Sequence, residues 1–173
     1  KEIEHIMSFL DEPLFDYSAI PVYFVSKLAR SHVKTVVGGE GGDELFGGYQ
    51  THYLYKLTGL YRKIPKGIRN GMKTIANKLP ESHSYMSTPY KLKRFTYGAD
   101  FPYDQGHYRW KVLFDEDQKK NLLSNDFIKS TNGLDTFYAM EKYFIKAHEK
   151  GFSIQDQLMY VDFKTFLQDD PLQ

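Results

Sequence analysis

The chain has no cysteine among its 173 residues and a single tryptophan, Trp110. Without thiols it can form neither a disulfide nor a thiolate-ligated metal centre, and a cysteine nucleophile is excluded. A cysteine-free chain suits a reducing compartment, so a cytoplasmic setting is expected. No Asn-x-Ser/Thr glycosylation sequon occurs. No apolar run approaches the ~20 residues of a membrane-spanning helix, so no membrane partner is expected. What remains is an ordinary globular composition, 41% hydrophobic and 26% charged, with aromatics high at 16%. That length and composition suit one domain with a real core.

Charge is nearly balanced, with a net of +1, but it is unevenly spread. Residues 1–55 carry four Lys/Arg against eight acids, residues 56–99 carry ten against one, and residues 100–173 carry nine against thirteen. The basic middle segment could meet an anion or a nucleic acid. A solvated helical face, or one that docks a partner domain, is the simpler reading, and no nucleic-acid module is recognisable. Nucleic acid is therefore not expected as a partner.

Hydrophobic periodicity predicts helices over 2–10, 18–30, most of 50–79, 115–124, 134–149 and 153–167. In the second, Ser18 is a candidate N-cap, and Ile20, Phe24, Val25 and Leu28 form the stripe expected to be buried. Residues 33–37, VKTVV, are short, β-branched and stopped by Gly38, which predicts a strand. Residues 80–106 are rich in Pro, Ser, Tyr and Gly and read as a long loop with short helices. The chain begins with Lys and reads as helix at once, so a piece of a longer protein is expected.

Nearly half of the thirteen glycines lie in TVVGGEGGDELFGGYQ, residues 35–50, together with Glu40, Asp43 and Glu44. A Walker loop fails there, because Gly48 stands where its lysine belongs. A dinucleotide fingerprint fails at Glu44, and the acids do not have EF-hand spacing. One reading is a backbone cradle for phosphate or carboxylate oxygens, in which a magnesium ion bridges a carboxylate to a polyphosphate and a second acid is left to hold an amine or move a proton. The other is a strand-to-helix turn whose acids cap the next helix. The six histidines show no ligand spacing and read as surface or packing residues.

VVGGEGGDELFGGY closely resembles the signature S-G-[DE]-G-[GS]-D-E-[LV]-F-G-G-Y of the glutamine-dependent asparagine synthetase family. DEPLFDYSAIPVYFVSKLAR upstream, and HYRWKVLFDEDQKKNLLS and MYVDFKTFLQDD downstream, resemble further family segments in the same order. The resemblance implies that residues 1–173 are a partial asparagine synthase domain. Its fold class would be α/β, an ATP-pyrophosphatase (adenine nucleotide alpha hydrolase-like) fragment, predominantly helical with one or two parallel strands. The implied activity is ATP- and magnesium-dependent amidation of aspartate through β-aspartyl-AMP, with ammonia drawn from glutamine by a glutaminase domain of the same protein. A homodimer is compatible with the family.

By the same match Gly38 and Gly39 would lie against the acyl-adenylate, and Glu40 would contact the intermediate or manage protons. Asp43 would hold magnesium and pyrophosphate, and Asp11, Asp16 and Ser18 would lie near the substrate. Glu44 is left as the structural acid. Gly38 replaces the family's usual Ser, and Gln168 its usual Pro. The family's S-G-G-x-D-S loop, V-D-R segment and catalytic lysine are not in these residues, so the chain alone is expected to be inactive. Two alternatives stay open: a paralogous amidotransferase acting on another carboxylate, and a noncatalytic anion- or nucleic-acid-binding helical module.

Overall fold

A computed structural model describes residues 2–9, 18–80, 87–131 and 135–169. Regular structure among the described residues is helical throughout. α1 (Glu2–Met7) packs on α2 (Ala19–Arg30) through the His5 and Tyr23 rings, 6.0 Å apart. The glycine loop leads into α3 (Gly42–Phe46), followed by α4 (Thr51–Tyr61) and α5 (Lys66–Lys78). The break between α4 and α5 falls at Pro65, as the sequence predicts.

Among the described residues of 80–106 the helices are longer than expected: α6 (Thr88–Gly98) and α7 (Tyr103–Lys111) fill much of 87–106. Pro80 follows α5, but two of the prolines that suggested a loop sit at helix starts, where a missing N–H costs nothing. Pro89 is in the first turn of α6, behind a Ser87 side chain that caps Tyr90, and Pro102 immediately precedes α7. α8 (Glu116–Leu122) starts at the predicted place with a reciprocal capping box between Asp115 and Gln118. α9 (Asn125–Ser130), α10 (Tyr138–Glu149) and α11 (Ile154–Lys164) follow, with Ser124 and Ser153 capping α9 and α11. The helix predicted over 153–167 is interrupted at Thr165 and resumes as α12 (Phe166–Asp169).

The core lies among α7, α10 and α11. Tyr108, Phe137, Phe144, Leu158 and Val161 form one buried cluster. Phe137 sits 5.7 Å from the Tyr108 ring and 6.0 Å from Phe144, within the range of favourable aromatic pairing. α11 is thereby the best-anchored helix near the site, and it supports α3 from below.

Two expectations are corrected. Residues 33–37 form no ladder: the Val33 N–H bonds back to the Ala29 carbonyl at 2.9 Å and the chain bends at Lys34, so the described residues contain no parallel strand. A strand is stabilised by its ladder, and no second β-branched run is available here to form one. Val36 and Val37 are accordingly 63% and 93% exposed. The apolar stripe of α2 is likewise uncovered: Phe24, Val25 and Leu28 are exposed, and the helix has no buried residue.

The three arginines of the basic segment are used internally. Arg62 donates to the Ala99 carbonyl at 2.9 Å, and Arg69 donates to the Ile64 carbonyl and pairs with Asp100. Arg94 donates to the Val112 carbonyl at the end of α7. These guanidinium groups bind α5, α6 and α7 together rather than forming a free cationic face. No described helix is long and apolar enough to cross a membrane.

Candidate functional site

The glycine loop makes a tight strap around α3. Gly41 precedes the helix at φ 85° and Gly47 ends it at φ 70°, both left-handed conformations that side chains disfavour. Both also sit close to α11 and its continuation. A Cβ on Gly41 would meet Leu167 at 3.1 Å, and one on Gly47 would meet Gln155 at 3.2 Å. These two glycines are explained by the fold. Gly39 and Gly42 are not: neither has positive φ, and a Cβ on either would meet no atom within 4 Å.

The three acids of the loop separate. Glu40 and Asp43 are exposed, and Asp43 lies in the first turn of α3. Their carboxylates fold back over the backbone, Glu40 against Gly38 and Asp43 against Gly48. Glu44, the next residue, is 2% exposed and accepts a hydrogen bond from the Tyr49 hydroxyl at 2.7 Å. Burial, reinforced by Glu44, raises the Tyr49 phenol well above its ordinary range, so it stays protonated and donates. The expectation that Glu44 is structural agrees with this geometry.

Beneath the loop lies a second polar group. Asp162 of α11 accepts on one oxygen from His52 Nε2 at 2.7 Å and from the Lys111 ammonium, and on the other from His107 Nε2 at 2.9 Å. Burial would raise the Asp162 carboxyl, but His107, His52 and Lys111 outweigh it and hold it far below the carboxylate range. An ionised carboxylate only accepts, so both Nε2 atoms carry the protons, and both Nδ1 atoms are buried without a partner. Burial lowers His107, with Asp162 opposing. Burial likewise lowers Lys111, with Asp162 again opposing. The Lys111 ammonium also lies 4.6 Å from the Tyr49 ring centroid and 5.1 Å from that of Phe166.

His52, His107 and Asp162 have the chemistry of metal ligands, and their donor atoms lie within 4.8 Å of one another. Lys111 already supplies the positive charge on that carboxylate, and both facing imidazole nitrogens are proton donors. The group reads as an ion-paired network centred on Asp162, with the two buried Nδ1 atoms left over.

An apolar cavity of about 860 Å³ opens beside Gly48 and Tyr49, walled by Leu54, Leu57, Leu92, Phe95, Leu113 and Phe166. Lys111 reaches its edge from the polar network.

Of the residues singled out from sequence, Gly38, Gly39, Glu40 and Asp43 share one exposed loop. Asp11 and Asp16 lie outside the described residues. Ser18 is at the exposed start of α2, where its side chain makes no capping hydrogen bond. The His52, His107, Lys111 and Asp162 network escaped the sequence reading because its members are up to 110 positions apart. A partial signal was available. His107 and Lys111 are four apart on α7 within HYRWK, and Asp162 opens DFKT, both in segments that resemble the family.

The asparagine synthase family model matches residues 1–173. The chain is 30% identical to asparagine synthetase (glutamine-hydrolyzing) 1 of Bacillus subtilis over 171 residues, which is 99% of this chain and 25% of that protein. It is 47% identical over 70 residues to a putative asparagine synthetase (glutamine-hydrolyzing) 2 of Methanocaldococcus jannaschii, covering 40% of this chain and 13% of the relative. A putative asparagine synthetase of Mycobacterium tuberculosis is 40% identical over 79 residues, 46% of this chain and 12% of its own length. The chain thus matches a quarter or less of each relative's length. No solved structure matches it significantly.

Proposed function

The chain belongs to the asparagine synthase family, and on that premise we propose that it forms one wall of an ATP-dependent amidation site, within an ATP-pyrophosphatase-type domain of a longer synthetase. In the proposed reaction an aspartate side-chain carboxylate attacks the α-phosphorus of ATP, pyrophosphate leaves, and the acyl-adenylate forms. Ammonia then adds at the acyl carbon, the bond to AMP breaks, and asparagine is released. The ammonia would come from glutamine through a glutaminase domain of the same protein, in the cytoplasm.

The observation that carries this reading is a pair of open glycines inside the acidic signature loop; Gly59, Gly67 and Gly71 are equally open but lie in helices without acids beside them, so the weight falls on the loop's combination of bare backbone and carboxylates. Gly39 and Gly42 have neither positive φ nor a neighbour that a Cβ would strike. A backbone kept bare toward open space suits close approach by a ligand rather than internal packing. Gly38 is similarly open except for the movable Glu40 carboxylate. In this reading Gly38 and Gly39 lie against the adenylate. Glu40, one residue on, contacts the intermediate and takes the proton that ammonia sheds on attack.

Magnesium is implied by the family, and the donors present fit it. Asp43 offers an exposed, hard carboxylate oxygen in the first turn of α3, and a magnesium ion takes one or two such carboxylates and completes its shell with water and phosphate. When bound, the ion offsets the negative charge of the pyrophosphate leaving group. Asp43 would hold it, its carboxylate turning away from Gly48, over which it now lies.

The test is Asp43→Asn in the full-length protein. Magnesium-dependent pyrophosphate release should be abolished, whereas normal turnover would leave the acids as helix caps only. The apolar cavity beside Tyr49 favours one second reading, amidation of a carboxylate with a larger apolar body. Comparing pyrophosphate release with aspartate against longer-chain carboxylates decides between the two.

A further inference from the structure

α3 cannot set its own pose. It has five residues, too few for a self-supporting helix, and a left-handed glycine stands at each end. Its only buried residue is Glu44. Whatever holds Glu44 therefore holds Asp43 beside it. α11 and its continuation back the helix and its flanking glycines, and the directional hold on the Glu44 carboxylate is the Tyr49 hydroxyl, at 2.7 Å. Tyr49 is held in turn: its ring is edge-on to His52 at 5.5 Å and lies under the Lys111 ammonium at 4.6 Å. His52 and Lys111 both end on the same oxygen of Asp162.

We propose that Asp162 is a positioning residue for the glycine loop, fixing Tyr49 through Lys111 and His52, and fixing Glu44 and the Asp43-bearing turn through Tyr49. α11 is already packed by Leu158 and Val161, both 0% exposed, so a buried ionised group is not needed there for apolar contact. Apolar replacements of buried ion pairs are often as stable. Hydrogen bonds to both carboxylate oxygens add direction, which apolar packing alone does not. The network joins α4, α7 and α11, so the loop's pose follows the core rather than the exposed segment before it. The functional half of this inference rests on the magnesium-nucleotide reading of Asp43; the mechanical half does not.

The test uses the full-length protein with Asp162→Asn, Lys111→Met and Tyr49→Phe. Two quantities are read: amide hydrogen exchange across residues 39–48, and the magnesium midpoint of pyrophosphate release separately from its maximal rate. Exchange in the loop should rise about tenfold or more in each variant, equivalent to a loss of ~1.4 kcal/mol of local stability. The magnesium midpoint should rise severalfold, with a smaller change in the maximal rate. Lowered melting temperatures with loop exchange and magnesium midpoint as in the wild type would overturn the proposal. If Asp162→Asn does not fold, Lys111→Met and His52→Phe together decide the Asp162 arm, because between them they remove both contacts that link Asp162 to Tyr49. If the wild type itself shows no magnesium-dependent release, the functional reading of Asp43 falls, and hydrogen exchange alone decides whether Asp162 positions the loop.

Discussion

Replacing Asp162 with leucine removes the one acceptor on which two buried imidazoles and a partly buried ammonium converge. Asp162 is 2% exposed, and the change leaves the Lys111 ammonium and the His52 and His107 N–H groups without it. Breaking a buried ion pair from one side costs about 3–5 kcal/mol, and each stranded buried N–H adds roughly 1–3 kcal/mol where the side chain cannot turn away. These terms are not additive, so a net loss of about 4 kcal/mol is expected, against a total stability of roughly 5–15 kcal/mol for a domain. The control is Asp162→Leu combined with Lys111→Met. That pair exchanges the ion pair for apolar groups of similar volume and should recover at least about 2 kcal/mol of the loss, the remainder coming from the two imidazoles. Native-state hydrogen exchange of the α11 amides in the full-length protein reads these differences locally, free of unfolding elsewhere. A single-variant loss below about 1 kcal/mol, or a double variant no better than the sum of the two single ones, would refute the ion-paired description.

Other consequences follow from the same geometry. Because burial lowers His107, the unfolded chain binds more protons just below the ordinary imidazole value, so stability should fall as pH drops through about 6.5, by up to ~1.4 kcal/mol per pH unit for one proton. Melting curves from pH 5.5 to 8 test this, and His107→Gln should flatten the slope. Asp162 is held low by its three cationic or donor partners, so its contribution is full above about 3.9 and is lost as pH falls below that toward its folded value; acid denaturation of Asp162→Asn should start from a lower plateau and fall less steeply. Gly47→Ala places a Cβ at φ 70° and near Gln155, and should cost about 1–2 kcal/mol by hydrogen exchange of α3, with Gly47→Asn milder. Leu158→Ala empties a fully buried site and should cost about 2–5 kcal/mol in the exchange of α10 and α11; a loss within the error of the measurement would contradict the core assignment.

The local signals were legible where the chemistry is local. Asp115 and Gln118 form the capping box at the start of α8, and Ser153 starts α11, because a cap needs only residues three or four apart. The glycine loop was legible as a segment, and the family resemblance suggested separate roles for its acids, but the direction in which each acid faces was not readable from local sequence. Residues 33–37 show the limit: their β-branched run suits a strand, but pairing depends on a partner that sequence near them cannot supply. Residues 87–111 show another, since proline reads as a breaker until its place in the first turn is known. Sequence alone therefore determined that this chain is a helical, cysteine-free member of its family carrying an acidic glycine loop. Tertiary structure alone decided that Glu44 turns inward while its neighbour Asp43 faces solvent, and that His52, His107 and Lys111 meet on Asp162. The reason is rotational and long-range: one step along a helix turns a side chain by about 100°, and only packing against α11 sets which of two adjacent acids is buried.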